Sequence, residues 1–372
     1  MINAGLYVHI PFCASKCKYC AFTSSTQSQD VQKQYFQALW QEIDSCKNHP
    51  KIQTIFFGGG TPSVVDADLV CKTLELLFQK FQVSKSAEIS LEANPNTVTF
   101  ESLQKYRKAG FNRISFGVQS FDQKTLQKLG RTHDVKEVFG AIENARNAGF
   151  ENINIDIILG AEKLGFEIFE ASVQKAKSFG VKHISVYMLQ LEKDTPLFKE
   201  VQASKTKVLC DDDTALEFEF VQKTLKRLGF LQYEISNFAQ KSFECKHNQN
   251  YWSGGMYLAF GISACSFWQS SRTTNVATLK EYIASPCSTN NFVVEHLSAK
   301  EQIEEYIMLS LRRVDGLDAK KLFAKFGYDI LQKKHDVIER LKNKKFLVQQ
   351  GNILYIPTQK FAVSNAIIVE LF

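Results

Sequence analysis

The sequence predicts an α/β protein: an incomplete (β/α)6 barrel, then a small mixed region, then a C-terminal winged-helix-like domain. Strand-like and helix-like segments alternate regularly through the first half, as a parallel sheet with outer helices requires. Helical segments there end on Gly110, Gly149 and Gly180, the residue that tolerates a left-handed helix end. After about residue 195 the rhythm breaks, and a hairpin signal, Gln350-Gly351-Asn352, follows a run of helices near the C-terminus.

Element by element, Leu6–Ile10 reads as a short apolar strand and Val31–Cys46 as an amphipathic helix. Thr54–Phe57 is a buried strand running into Gly58-Gly59-Gly60, and Asp66–Phe81 a helix with acidic residues in its first turn. Strand Ala87–Leu91 precedes helix Phe100–Ala109; strand Arg113–Gly117 precedes helix Val135–Ala148; strand Asn152–Ile158 precedes helix Phe166–Phe179. His183–Leu189 is the sixth strand. Eight such units would close a full barrel; six imply an open one. Beyond it, Asp211–Leu228 is a long helix, and the chain to 292 is mixed and loop-rich. Helices are expected over Leu297–Val314, Asp318–Phe326 and Asp329–Lys342, and a ribbon over Phe346–Gln349 and Ile353–Ile356. The expected domains are 1–195, 196–292 and 293–372, with the boundary signal in Ser285-Pro286-Cys287-Ser288-Thr289-Asn290-Asn291.

Composition narrows the class. Of 372 residues, 44% are hydrophobic and 23% charged, ordinary values for a globular protein. The net charge of +6 is mild at this length and does not mark a nucleic-acid binder. Lysines 320, 321, 325, 342, 344 and 345 enrich the C-terminal domain, but acidic residues interrupt them and no stacking aromatics cluster there, so no nucleic acid is expected. No basic-then-apolar leader and no run of about 18 apolar residues is present, so a cytoplasmic location is expected. Nine cysteines in such a compartment point away from a disulfide framework.

Three of those cysteines need a chemical explanation. Cys13, Cys17 and Cys20 stand in C-x3-C-x2-C spacing just after the first strand. One short loop can then wrap three thiolates round a small inorganic centre. A structural zinc site takes four ligands from paired knuckles, and no second knuckle follows, so zinc would need a remote fourth ligand. A [4Fe–4S] cube held by three thiolates keeps one iron open. At the ends of later strands lie Gly58-Gly59-Gly60-Thr61-Pro62, Glu92, Gln119 and Arg131, with Asp156 inside the apolar strand Ile153–Ile158. Ligands of α/β sheets bind at strand C-terminal ends. Glycines there let the backbone approach a ligand closely, and a charge within an apolar strand requires a partner.

The cysteine spacing, with an aromatic before the third Cys, resembles the radical S-adenosylmethionine (SAM) superfamily. The resemblance narrows with Tyr7-Val8-His9-Ile10-Pro11-Phe12-Cys13, the GGGTPS and GVQSF runs, His183–Tyr187, Tyr233–Ala239 and His247-Asn248-Gln249-Asn250-Tyr251-Trp252. Together these are similar to oxygen-independent coproporphyrinogen III oxidases and their relatives, the HemW-type haem chaperones. It implies a [4Fe–4S] cluster on Cys13, Cys17 and Cys20, and SAM sites lined by Tyr7, Tyr19, Gly59, Gly60, Thr61, Glu92, Gln119, Arg131 and Asp156. It also implies haem binding through His247, and transfer of haem to acceptor proteins of the membrane-associated respiratory kind, with a homodimer as an expected assembly. Two features favour the chaperone branch over the oxidase. Phe22 stands where the oxidase carries a fourth Cys, and only about five residues precede the first strand. The sequence departs from both branches at Ile158–Glu162, where relatives carry Tyr-Gly-Leu-Pro-Gly, and at Cys265, where relatives carry His.

Overall fold

The computed structural model describes residues 2–288 and 292–372. Its first half is a run of β–α units, β1 (Asn3–Ile10), α1 (Gln29–Ser45), β2 (Lys51–Gly59), α2 (Ala67–Lys80), β3 (Gln82–Ala93), α3 (Phe100–Ala109) and β4 (Arg113–Gln119). A short α4 (Gln123–Leu129) and α5 (Val135–Asn147) follow, then β5 (Asn152–Leu159), α6 (Phe166–Ser178) and β6 (Val181–Met188). Each strand from β1 to β6 pairs in parallel with the next. Local chemistry sets the helix ends. Thr99 with Ser102, and Asp134 with Glu137, form reciprocal caps at the starts of α3 and α5, and Gly110 closes α3 at φ 118°. Strands β1, β2 and β3 begin earlier than the sequence suggested, because Asn3–Ala4 of β1, Lys51–Ile52 of β2 and Gln82–Val83 of β3 pair beyond the apolar stretches. Helix α4, not anticipated, lies between an Asp122 cap and Gly130 and is too short to show periodicity.

Residues 196–292 carry more structure than a loop-rich reading suggests. After α7 (Pro196–Gln202) and α8 (Asp211–Arg227), strands β7 (Leu231–Gln232) and β8 (Asn237–Ala239) extend the sheet beyond β6. Helix α9 (Lys246–Trp252) precedes β9 (Tyr257–Phe260), which pairs in parallel with β1 on the opposite side of the barrel. Strands β10 (Cys265–Trp268), β11 (Ser271–Asn275) and β12 (Phe292–His296) continue outward as an antiparallel meander, with α10 (Leu279–Ala284) between the last two. The result is one twelve-stranded sheet in the order β12-β11-β10-β9-β1-β2-β3-β4-β5-β6-β8-β7, open at both ends. Strand β12 runs across the expected boundary at 292–293; of the boundary signal, Thr289, Asn290 and Asn291 lie outside the described residues.

The C-terminal domain comprises α11 (Ala299–Leu311), β13 (Leu317–Asp318), α12 (Ala319–Phe326), α13 (Ile330–Lys333), α14 (His335–Asn343), β14 (Val348–Gln350) and β15 (Ile353–Tyr355), and the three strands form a small sheet. The single helix expected over 329–342 is two, broken at Lys334 with φ −117° and ψ 21°. This domain touches both lips of the open sheet. It follows β12 directly, and beyond α11 the Val314 amide donates to the Tyr233 carbonyl at 3.1 Å beside a Glu234–Arg313 bridge.

The meander is tied to the barrel by a buried acid. Glu42 of α1, 5% exposed, accepts from the Gly261 amide at 2.9 Å, from Asn275 Nδ2 at 2.9 Å and from the Tyr282 hydroxyl at 2.5 Å. Burial pushes its carboxyl from an ordinary 4.5 up to about 8, against the pull of these three donors. A carboxyl raised on folding is stabilised as the neutral acid. Its contribution is full below about pH 4.5 and fades as pH rises through about 8. Thermal unfolding of Glu42→Gln therefore loses this part of the decline between pH 5 and 8 that the parent shows. Glu42→Ala, which strands three donors, costs about 3 kcal/mol at pH 5.

Candidate functional site

The sequence singles out the C-terminal rim of β1–β5, and the fold brings those residues together there. The cysteine loop leaves β1 and turns back over the β2 turn: the Gly60 amide bonds the Ile10 carbonyl at 2.8 Å, and the Thr61 amide the Phe12 carbonyl at 2.7 Å. Only glycine fits that approach, since a Cβ on Gly60 would lie 2.6 Å from the Phe12 carbonyl oxygen. Gly59, at φ 116°, faces the His9 ring in the same way.

The three thiols of this loop are half-buried and unbridged. Arg131 donates from Nη1 to Cys17 Sγ at 3.2 Å, and from Nη2 to Asn94 Oδ1 at 2.5 Å and the Gly117 carbonyl at 2.6 Å. Its Nε, also buried, has no partner. The Thr61 hydroxyl points at Cys13 Sγ at 3.7 Å and accepts from Asn94 Nδ2 at 3.1 Å. Burial raises the Cys20 thiol. Among the described residues, no three His, Cys, Asp or Glu side chains converge as ligands of a single ion. The donor set suits a sulfur-rich, anionic body larger than one ion. It offers three thiols on one loop, a guanidinium against one of them, and an unpaired N–H on the same arginine.

Inside the barrel is a polar chamber of about 160 Å³, lined by Tyr7, Phe56, Glu92, Arg113, Asp156, His247 and Tyr251 among others. Glu92 Oε2 accepts from the Gly59 amide at 3.2 Å. Its carboxyl is pushed up to about 8, first by the loss of bulk water and then by Asp156. Asp156, also raised by burial, accepts from Asn154 Nδ2 at 2.8 Å and Ser115 Oγ at 3.1 Å. Gln119 sits at the end of β4 with φ 66°, a backbone conformation strained for a non-glycine residue. Tyr19 packs against Leu129, Ala161 and Leu197 beside the cysteine loop.

The sequence departure at Ile158–Glu162 has its own support. Gly160 turns at φ 85°, and the Glu217 carboxylate accepts from the Gly160 amide at 3.2 Å and the Leu164 amide at 2.6 Å. Sequence reasoning missed Glu217, a lone acid on a long helix. It missed Arg113 as well, the largest side chain buried to 2%, whose Nε has no partner.

A second cavity, about 600 Å³, lies between the cysteine loop, β9–β10 and the C-terminal domain. Phe22, Tyr7, Tyr251, Tyr257, Phe267 and Phe326 give it an aromatic lining, and Cys265 and Lys325 also face it. Phe22 is 69% exposed. His9 lines the cleft with Nε2 at 2.9 Å from the Thr23 carbonyl, which can only accept, so Nδ1 accepts from the Tyr7 hydroxyl at 3.1 Å. His133 lies apart, bonding the Val118 carbonyl at 3.0 Å. His247 is 1% exposed and lies behind this cleft: Nδ1 meets Thr54 Oγ1 and Nε2 meets Tyr251 Oη, each at 2.8 Å. Burial, then Arg113, lowers its pKa to about 3, so it is neutral.

Fold and rim together define a radical SAM protein, and the Radical SAM superfamily profile matches residues 7–176. The HemN C-terminal domain profile matches residues 297–359. The "Heme chaperone HemW" of Bacillus subtilis is 34% identical over 369 residues, 97% of each chain. The protein of the same name from Lactococcus lactis is 31% identical over 96% of this chain and 94% of its own. The chain belongs to the HemW family. Coproporphyrinogen III oxidase (HemN) from Escherichia coli superposes with a TM-score of 0.85 over 100% of this chain and 90% of its own. At 22% identity that likeness shows the fold alone.

Two substitutions probe the rim. Gly60→Ala forces the cysteine loop off the β2 turn, with about 1–3 kcal/mol lost in thermal unfolding and reduced iron and sulfide after anaerobic reconstitution. Arg131→Met, which removes the donors to Cys17, Asn94 and Gly117, is expected to cost about 1–3 kcal/mol in thermal unfolding and to lower iron and sulfide retained after anaerobic reconstitution.

Proposed function

We propose that this protein carries haem in the 600 Å³ aromatic cleft, beside a cluster-and-SAM site, and passes it to acceptor proteins. The observation that carries this reading is the joint between the two sites: Tyr7, His9, Phe22 and Thr23, from the first strand and the cysteine loop, themselves line the cleft. The cleft lies within the 300–1,000 Å³ range of cofactor pockets, and its rings offer flat apolar faces to a porphyrin. Lys325 supplies a cation at its C-terminal wall. Similarity over nearly the whole length to proteins named as haem chaperones supports the same reading.

Cys13, Cys17 and Cys20 would hold the [4Fe–4S] cluster, with Arg131 against Cys17. Tyr7, Tyr19, Gly59, Gly60, Thr61, Glu92, Gln119, Arg131 and Asp156 would surround SAM. When bound, the cluster would supply an open iron site and an electron to SAM. The protein's own part is placement. The glycine turn seats the cysteine loop against β2, Glu92 and Asp156 offer carboxyl groups to the ligand, and His9 fixes the Tyr7 hydroxyl. Phe22, an apolar ring where the oxidase has a thiol, belongs to the wall of the haem cleft. His247 backs that wall through Tyr251.

No helix among the described residues is long and apolar enough to cross a membrane. A cytoplasmic carrier that meets membrane-associated acceptors, as a monomer or homodimer, accords with this.

Reconstituted protein is expected to bind one haem per chain, seen as a Soret band on titration, and to yield no protoporphyrinogen from coproporphyrinogen III with SAM and reductant. Appreciable protoporphyrinogen would make it an oxidase instead. Replacing Cys13, Cys17 and Cys20 together by Ala should abolish the cluster's visible absorbance while leaving a measurable Soret band, because none of the three lines the proposed haem cleft.

A further inference from the structure

The large cleft is charged on one wall only. Its lining takes Tyr7, His9, Phe22 and Thr23 from the first strand and the cysteine loop, and further residues between Tyr251 and Ser270; none of these is Asp, Glu, Lys or Arg. Burial lowers His9 below its ordinary value, so that ring stays uncharged. The lining's two charged side chains, Glu305 of α11 and Lys325 of α12, both come from the C-terminal domain. They are not equivalent. Glu305 is bound by the Arg272 guanidinium, which also reaches Glu295 at 3.5 Å. Lys325 has no carboxylate within ion-pair distance among the described residues. Its Nζ lies 5.1 Å from the ring centroids of both Tyr306 and Phe326, which themselves line the cleft. Aromatic faces attract a cation without neutralising it. The cleft thus holds one uncompensated positive charge, at its C-terminal-domain wall, against neutral walls elsewhere.

We propose, resting on the haem-carrier reading above, that Lys325 is the specificity-determining residue of the cleft, selecting a porphyrin whose carboxylates share one edge. Haem carries its two carboxylates on adjacent pyrroles, and vinyl and methyl groups on the opposite side. With the carboxylates at Lys325, it turns that apolar edge to the neutral walls of the cysteine loop and β9–β10. A coproporphyrin carries four carboxylates, one on each pyrrole. Seated the same way, it turns two of them to walls that offer no cation, and an unpaired buried carboxylate is costly. One lysine therefore both orients the cargo and rejects the more acidic ring. Lys325 is itself exposed, so its ion pair is partly screened and contributes only a several-fold gain in affinity.

The test uses the full-length, cluster-loaded protein, titrated in the Soret region with ferric haem, its dimethyl ester and iron coproporphyrin III. Wild type should bind haem at least about tenfold more tightly than iron coproporphyrin. Lys325→Met should weaken haem about fivefold at low salt, leave the ester's affinity unchanged and retain the cluster's absorbance. The difference between wild type and variant should shrink as salt rises, which a loss of packing would not produce. Equal wild-type affinity for haem and iron coproporphyrin overturns the proposal, and that measurement needs no variant. So does a Lys325→Met variant that binds haem as wild type does, or that weakens haem and ester alike. In each of these cases haem carriage stands. Absence of any Soret band from wild type with haem would remove the carrier reading, and this proposal with it.

Discussion

The top of this barrel depends on two backbones lying closer than side chains would permit. Phe12, leading into the cysteine loop, rests against Gly60, and the amides of Gly60 and Thr61 bond the carbonyls of Ile10 and Phe12. That contact presses the loop onto the end of β2, so the thiols come to rest over the sheet rather than in solvent. Arg131, from the loop after α4, can then reach Cys17, while Asn94 joins Arg131 and Thr61 into one hydrogen-bonded unit. Remove the contact and the thiols lose their fixed relation to Glu92 and Gln119.

Beneath this rim the barrel is unusually polar, and that polarity constrains its chemistry. Glu88, Arg113, Asp156 and His183 of the strands, with His247 of α9, all lie inside it. Buried charges are costly without partners, and the chain supplies many: Glu88 accepts from the amides of Lys246 and His247, Asp156 from Asn154 and Ser115. Helix α9 is thereby plugged into the barrel, which fixes His247 at depth and leaves Tyr251 as the surface that the cleft presents.

Much of this was legible in the sequence because the signals were local. Strand–helix alternation, helix-closing glycines and the three-cysteine spacing are all written within short windows, and the six parallel strands overlap the segments those windows mark. What was not legible depends on distant partners. Strand β9 has too few residues to announce itself, and its place beside β1 is settled by pairing over some 250 positions of sequence. The break at Lys334 sits inside an unbroken amphipathic pattern. His247 reads from sequence as an available imidazole, and only the fold reveals Thr54 and Tyr251 at its two nitrogens. Glu217 and Glu42 look like ordinary helix acids until their acceptors are seen satisfying amides far along the chain.

The unclosed sheet has one more implication. Its two lips, β12 and β7, are fastened by the same C-terminal domain, through direct connection at one and the Tyr233–Val314 and Glu234–Arg313 contacts at the other. That domain also supplies Gln302, Glu305, Tyr306 and Lys325 to the wall of the cleft. The clasp therefore couples the two: any shift of that domain would alter the seam between the lips and the wall of the cleft in a single movement.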